Sequence, residues 1–411
     1  MIVRARTVVT MDGAPIDNGA VVVREHQILD VGKFDEVKTQ SAGEIVDLGE
    51  QALLPGLINA HCHLDYTCLR GKILPQKSFT DWILGINAEK AKLSAEDYVS
   101  SIGEGFAEAK RFGTTGIANL TAFPELVSQI TSPIRAWWFA ELIDARASER
   151  PNKIVDRAIE SLELTPNWGL APHALFTASA ELYRHCEELA QQNNVLLTTH
   201  LDESREEMEM FHDASGPLYE FLKSIGRPMN DCGNETPLEH FLTIRDSWAA
   251  LRSAGNDNEW LVAHLNELTE SDFELLERST TRFHVVHSPR SHDYFRHSQF
   301  PFQRLRSLAF NICLGTDSLA SNDSLSLFAE MRAFQKEFPG VSPDEILKMV
   351  TVNPATALHQ ENMLGRIRPG FCADLIAIPC GDSDSPFEQI VEFDGSIDWV
   401  MVNGKDVGQP G

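Results

Sequence analysis

The sequence predicts an α/β protein, a parallel (β/α)8 barrel with a smaller β-structured unit assembled from the two ends of the chain. Three observations carry this. Eight short apolar runs alternate with helix-like segments through the middle of the chain, and near-continuously apolar strands mark a parallel sheet covered on both faces. Polar residues, chiefly histidines, stand at the ends of those runs, where such a barrel displays its chemistry. The head and tail read instead as short strands broken by Gly, Asp and Asn turns.

In the head, Thr7 to Thr10, Ala20 to Val23, Ile28 to Val31 and Glu44 to Asp47 are expected strands, divided at Asp12-Gly13, Asp17-Asn18-Gly19 and Gly32. The barrel strands follow as Leu57 to His61, Thr115 to Leu120, Ala136 to Ala140, Trp168 to Ala171, Val195 to His200, Trp260 to His264, Phe283 to His287 and Asn311 to Gly315. Helix-like segments between them include Ala95 to Phe112, Ser179 to Gln192, Glu267 to Arg278 and Leu325 to Glu337. A doubly wound open sheet is the alternative, but no Gly-x-Gly-x-x-Gly follows any of these strands. After a helix over Thr351 to His359 the chain returns to strands at Ala373 to Ile378 and Trp399 to Asn403. Because domain termini often lie close together, this tail is expected to pair with the head. The division that follows is 1–52, 53–350 and 351–411.

Composition bounds the partners. The chain has 411 residues, 43% of them hydrophobic, enough for a large core. A formal net charge of -25 disfavours nucleic acid and anionic membrane surfaces, and no apolar run is long enough to span a bilayer. The seven cysteines are scattered, odd in number and without a Cys-x-x-Cys pair, which suits a reducing cytoplasm better than a disulfide framework or a thiolate metal site.

His61 and His63 close the first apolar run, and on a strand both rings project to one face while Cys62 takes the other. Further strands end at His173, His200, His264, His287 and, in Cys313-Leu-Gly-Thr-Asp317, at a carboxylate. Three neutral imidazoles and one carboxylate suit a borderline-soft divalent ion with a position left for water. The expected ligands are His61, His63, His200 and Asp317. Each has a plainer reading, a hydrogen-bonded pocket histidine or a turn-capping aspartate. Those readings explain the residues one at a time and not their joint occurrence at strand ends.

The segments Leu54-Pro-Gly-Leu-Ile-Asn-Ala-His-Cys-His-Leu64, Thr199-His-Leu-Asp-Glu203, Gly315-Thr-Asp317, Asn353-Pro-Ala355 and Gly370-Phe-Cys-Ala-Asp-Leu375 resemble the amidohydrolase superfamily. More closely they resemble its branch of S-adenosylhomocysteine and methylthioadenosine deaminases, aminofutalosine deaminases and triazine chlorohydrolases. The resemblance runs through essentially the whole chain. It implies a TIM-type barrel beside a small β-sandwich built from both termini, and the same four metal ligands. It adds Glu203 as proton shuttle and His264 as the residue that polarises the attacking water or its adduct, with Asp317 taking the water's proton. Glu203 has a competing reading as one of several acids in a helix's first turn.

Two-metal relatives carry a bridging carboxylated lysine or glutamate on the fourth strand, and Trp168 to Phe176 holds neither, so one ion is expected, zinc or alternatively iron(II). Glu141, after the third strand, is the one obvious bridging substitute. On the substrate side the resemblance points to His173 and to Trp82, the latter with helix packing as its other reading. Where the branch has Cys-Pro-x-Ser-Asn, this chain has His287-Ser-Pro-Arg290-Ser-His292, which puts Arg290 and His292 forward as contacts to a different ring or an anionic substituent. The function these readings imply is hydrolytic deamination of an amino-substituted N-heterocycle, such as an adenine-type nucleoside, aminofutalosine, a pterin or a guanine-like base, with release of ammonia. A triazine-type chlorohydrolase or dealkylase is the alternative. The expected partner is a small heterocyclic substrate, and the resemblance adds a homodimer.

Overall fold

The computed structural model describes residues 1–146, 150–246, 260–279, 281–381 and 385–408. The eight apolar runs become parallel barrel strands, Leu57–His63, Thr114–Thr121, Arg135–Leu142, Trp168–Pro172, Leu196–Leu201, Trp260–His264 and Phe283–His287, with an eighth in two pieces, Asn311–Leu314 and Asp317–Ser318. Each pairs with the next, and Asp317 and Ser318 pair with Cys62 and His63 of strand 1, which closes the ring. The break in strand 8 has a steric cause. A Cβ on Gly315 would lie 2.7 Å from the carbonyl oxygen of His61, so only glycine lets the two strands approach. Asn59 bridges the gap, its Oδ1 accepting from Thr316 N at 3.2 Å and its Nδ2 donating to Thr316 Oγ1 at 2.7 Å.

Side chains along the strands alternate between two cores, as a period of two requires. Ile58, Ala60, Ala118, Leu120, Phe139, Ala171, Leu261, Val286 and Cys313 share one cluster inside the barrel. Their neighbours Ile117, Trp138, Ala140, Leu170, Val262, Val285, Ile312 and Leu314 belong to the larger cluster between strands and helices. On strand 1 the register with strand 2 shifts between Asn59 and Cys62, and such an irregularity re-aims side chains at a barrel rim. Cys62 therefore joins the outer cluster, and His61 and His63 turn inward.

Four expected helices are observed as Ala95–Arg111, Ala180–Asn193, Glu270–Arg278 and Leu327–Glu337. Ser94, Ser179, Thr269 and Ser326 cap them, each side-chain oxygen accepting a first-turn backbone N–H that would otherwise lack a partner. The expected Thr351 to His359 helix is shorter, Val352–Ala357.

Head and tail form one eight-stranded sheet, in the order Lys405–Asp406, Trp399–Val402, Leu375–Pro379, Gln51–Pro55, Ile2–Val8, Ile16–Arg24 and Gln27–Lys33, with Ile45–Asp47 also pairing with the strand that begins at Ile2. The pairing of Leu375–Pro379 with Gln51–Pro55 carries this sheet through Pro55, past the division expected at residue 52. Alternation decides which side of it meets the barrel. Leu53 and Leu375 enter the sheet's own core, and Ala52, Leu54, Ile376 and Ile378 pack into the barrel's outer cluster. The first head strand begins five residues before the expected Thr7, at Ile2. Among the described residues no helix is long and apolar enough to cross a membrane.

Candidate metal centre and active site

At the carboxyl ends of the strands lies a cavity of about 420 Å³, lined at its floor by His63, His173, His200, Glu203, His264 and Asp317. One nitrogen each of His61, His63 and His200 can be chosen so that all three lie within 4.8 Å of one another, and all three residues are buried. The rings are fixed from behind. His200 Nδ1 lies 2.8 Å from the carbonyl oxygen of His173, which places its proton there and leaves a lone pair on Nε2. That Nε2 faces His63 Nε2 at 3.1 Å. Both nitrogens of His61 are buried without a hydrogen-bond partner. Converging lone pairs and an unpartnered buried imidazole are costly in a folded interior, and a cation between them removes the cost. The residues therefore fit a metal ion.

Asp317 stands beside these three histidines. Its Oδ1 lies 3.7 Å from His61 Nε2 and 3.9 Å from His63 Nε2. Its other oxygen is occupied, because Ser291 Oγ donates to Oδ2 at 2.6 Å and Ser321 Oγ lies 3.3 Å away. Burial works against charge on Asp317, but the adjacent His61, His264 and His63 hold its carboxyl well below the usual range. Burial and the neighbouring rings push His63 well below the ordinary imidazole value and His200 down to about 4, so both are neutral at pH 7, as metal ligation requires.

Glu203 lies beyond the end of strand 5 and before the helix Arg205–Asp213, whose N-cap is Ser204. The first-turn acids are thus Glu206 and Glu207, not Glu203. Glu207 Oε2 accepts the backbone N–H of Glu203 at 2.8 Å, and Asn266 Nδ2 donates to the Glu203 carbonyl at 3.0 Å. Held in this way, Glu203 Oε2 lies 3.8 Å from His264 Nε2. Burial, with the charges of Asp317 and Glu207, raises the Glu203 carboxyl well above its ordinary range. His264 reaches the site through its backbone. Strand alternation would send it outward after the inward Ala263 position, but its φ of 79° turns it toward His200, with which it stacks at 5.4 Å. Such positive φ values cost about 1–3 kcal/mol and cluster at functional sites. Asp202 and Asp317 share the feature, at φ 50° and 55°.

Of the expected substrate contacts, His173 and Trp82 line the cavity. Arg290 and His292 do not. The Arg290 guanidinium pairs with Asp323, and its backbone N–H is held by Glu330 Oε2 at 3.0 Å. His292 Nδ1 lies 3.1 Å from Asn266 Oδ1, one step behind Glu203. The apolar wall has a source the sequence reading missed. Leu218, Phe221 and Leu222 of the helix Gly216–Ser224 line it together with Phe79, Trp82 and Ile86 of the helix Phe79–Lys90. An amphipathic pattern in that short segment was the available signal. Ser291 on Asp317 left none, since nothing local in a sequence pairs residues 26 apart.

Comparison with known proteins agrees with this architecture. A family model described as the amidohydrolase family matches residues 52–407. The chain is 28% identical to a 5-methylthioadenosine/S-adenosylhomocysteine deaminase of Pyrococcus furiosus, over 99% of this chain and 94% of that protein. Among solved structures, the aminofutalosine deaminase of Helicobacter pylori superposes with a TM-score of 0.87 at 20% identity, covering 99% of both chains. An adenosine deaminase of Xanthomonas campestris with bound zinc superposes at 0.79 and 22%, covering 98% of this chain and 92% of that one. A match that starts in the last head strand, runs through the barrel and returns into the tail spans the whole architecture, and the chain belongs to the amidohydrolase family.

Proposed function

We propose that this protein is a metal-dependent aminohydrolase that removes an amino group from an N-heterocycle of the adenine, aminofutalosine, pterin or guanine type as ammonia. The observation that carries the reading is the approach of Glu203 to His264 at 3.8 Å beside three converging histidines, in a cavity walled by apolar and aromatic side chains. His61, His63, His200 and Asp317 would hold one divalent ion, zinc in the first instance. When bound, such an ion lowers the pKa of coordinated water toward about 7 and makes a nucleophile available at neutral pH.

The chain's own groups supply the proton movements. Glu203, kept protonated by burial, donates to the ring nitrogen beside the reacting carbon. Asp317, ionised and with Oδ2 held by Ser291, presents Oδ1 to receive the proton of the attacking water. His264, which burial holds neutral, hydrogen-bonds the developing oxygen. The adduct's remaining hydroxyl proton passes to the Glu203 carboxylate, which hands it to the amine as the carbonyl forms and ammonia departs, and the proton held on Asp317 then restores Glu203. Chloride needs no such proton to leave, so the buried Glu203 favours deamination over the chlorohydrolase alternative. All seven cysteines are free, which supports a reducing cytoplasm.

The test is ammonia release across a panel of adenine nucleosides, aminofutalosine, guanine, pterins and chloro-triazines. Glu203→Gln is expected to lower turnover about 10²- to 10⁴-fold with the ion still bound. A variant with wild-type rates would eliminate the shuttle role.

A further inference from the structure

Glu141 is the one carboxylate on the cavity wall that this mechanism leaves without a task. It stands near the end of strand 3 with its side chain 5% exposed, and its Oε2 lies 3.5 Å from His63 Nδ1. The opposite nitrogen of the same ring, Nε2, faces His200 Nε2 at 3.1 Å and Asp317 Oδ1 at 3.9 Å. The ring is therefore bracketed, with one nitrogen toward the converging donors and the other toward Glu141. Near-parallel rings limit its rotation as well, Tyr66 at 5.9 Å and His200 at 5.2 Å between centroids.

A neutral imidazole that gives the lone pair of one nitrogen to a metal carries its proton on the other, and a buried N–H needs an acceptor. His200 has one in the backbone carbonyl of His173, and Asp317 is fixed by two serines. For His63 the nearby acceptor is a side chain. We propose that Glu141 accepts the Nδ1 proton of His63, and so fixes the tautomer and aim of a metal ligand from outside the ligand set. Glu141 is a positioning residue that acts through His63. It is not a bridge to a second ion, because its oxygen meets the edge of the imidazole opposite the converging donors.

The inference rests on the metal-centre reading, and one experiment separates the two. Purified wild type, Glu141→Ala and Glu141→Gln are loaded with Zn²⁺ and titrated with a competing chelator, and parallel samples loaded with Co²⁺ are followed by visible absorption. Wild type should bind one ion per chain. Glu141→Ala should bind the same number 10- to 100-fold more weakly, as loss of an outer-shell partner typically does, with a shifted cobalt spectrum. Glu141→Gln, whose amide oxygen still accepts, should recover part of the affinity and the wild-type spectrum. Should Glu141→Ala fail to fold, the affinity and spectrum of Glu141→Gln against wild type decide, since a glutamine that behaves worse than tenfold weaker contradicts the rescue. Unchanged affinity in Glu141→Ala would overturn the proposal, as would two ions in wild type falling to one in the variant. Absence of any ion in wild type would instead remove the metal-centre reading beneath it.

Discussion

Strands 5 and 7 both carry a histidine at or next to their carboxyl ends, both histidines are buried, and burial lowers the pKa of both, yet one enters the candidate active site and the other does not. The difference is parity. On strand 5, Leu197 belongs to the outer cluster, so His200, an odd number of residues later, points inward to meet His61 and His63. On strand 7, Val286 points inward, so His287 points outward and lies flat on Phe300, with centroids 3.9 Å apart and planes at 4°. The rest of the second histidine group follows it. His292 bonds Asn266, and His297 packs against Phe295 at 5.1 Å. A histidine at a strand end is therefore a ligand candidate only where the strand's phase, or a register shift such as the one after Asn59, turns it toward the axis.

Several measurements can break or sharpen that contrast. The largest effect is expected for Asp317→Ala, which should lose both ion and turnover, read as metal content after dialysis and as ammonia release. Retained stoichiometric metal would remove Asp317 from the donor set. On the strand 7 side, His292→Ala and His297→Ala should keep full metal content, with kcat/KM reduced by no more than about tenfold, roughly 1.4 kcal/mol, through the support His292 gives Asn266 behind Glu203. Metal loss in either variant comparable to that of Asp317→Ala would erase the distinction between the two groups.

The smallest effect concerns Glu330, the buried acid that accepts from Arg290 N and Asn322 Nδ2 in the strand 7 region. Burial raises its carboxyl to about 8, whereas the unfolded chain titrates it near 4.3. Between those values the folded state binds the extra proton, so this stabilisation is complete at low pH and is lost as pH rises toward 8. In chelator-treated protein, the melting temperature of Glu330→Gln minus that of wild type should climb by a few degrees from pH 5 to pH 8. A difference that stays constant over that range would show that Glu330 does not titrate there.

Much of the barrel was legible because a strand buried on both faces must be apolar throughout, and all eight such runs became barrel strands. Boundaries shifted by a residue or two where pairing extended a run, as at Thr114–Thr121. The helices Phe79–Lys90 and Gly216–Ser224, which wall the cavity, were not singled out as helices; the second is only nine residues long and opens with Gly216-Pro217. Arg290 was read as a substrate contact from its place in an unusual loop. Its partners, Asp323 and Glu330, lie 33 and 40 residues further along the chain.

By itself the sequence determined the alternation of apolar runs, and with it the barrel, the paired termini and a short list of donors at strand ends. Those follow from local periodicity and from which residue types can bind a metal. The tertiary structure alone decided which donors converge. The register shift after Asn59 turns His61 and His63 inward, the positive φ of His264 reverses its strand phase, and Gly315 lets Asp317 pair beside His63. It also supplied Glu141, Ser291 and Ser321 as the groups behind the donors. The physical reason is that the aim of a lone pair is set by contacts between residues far apart in the chain, and a sequence pattern records only neighbours.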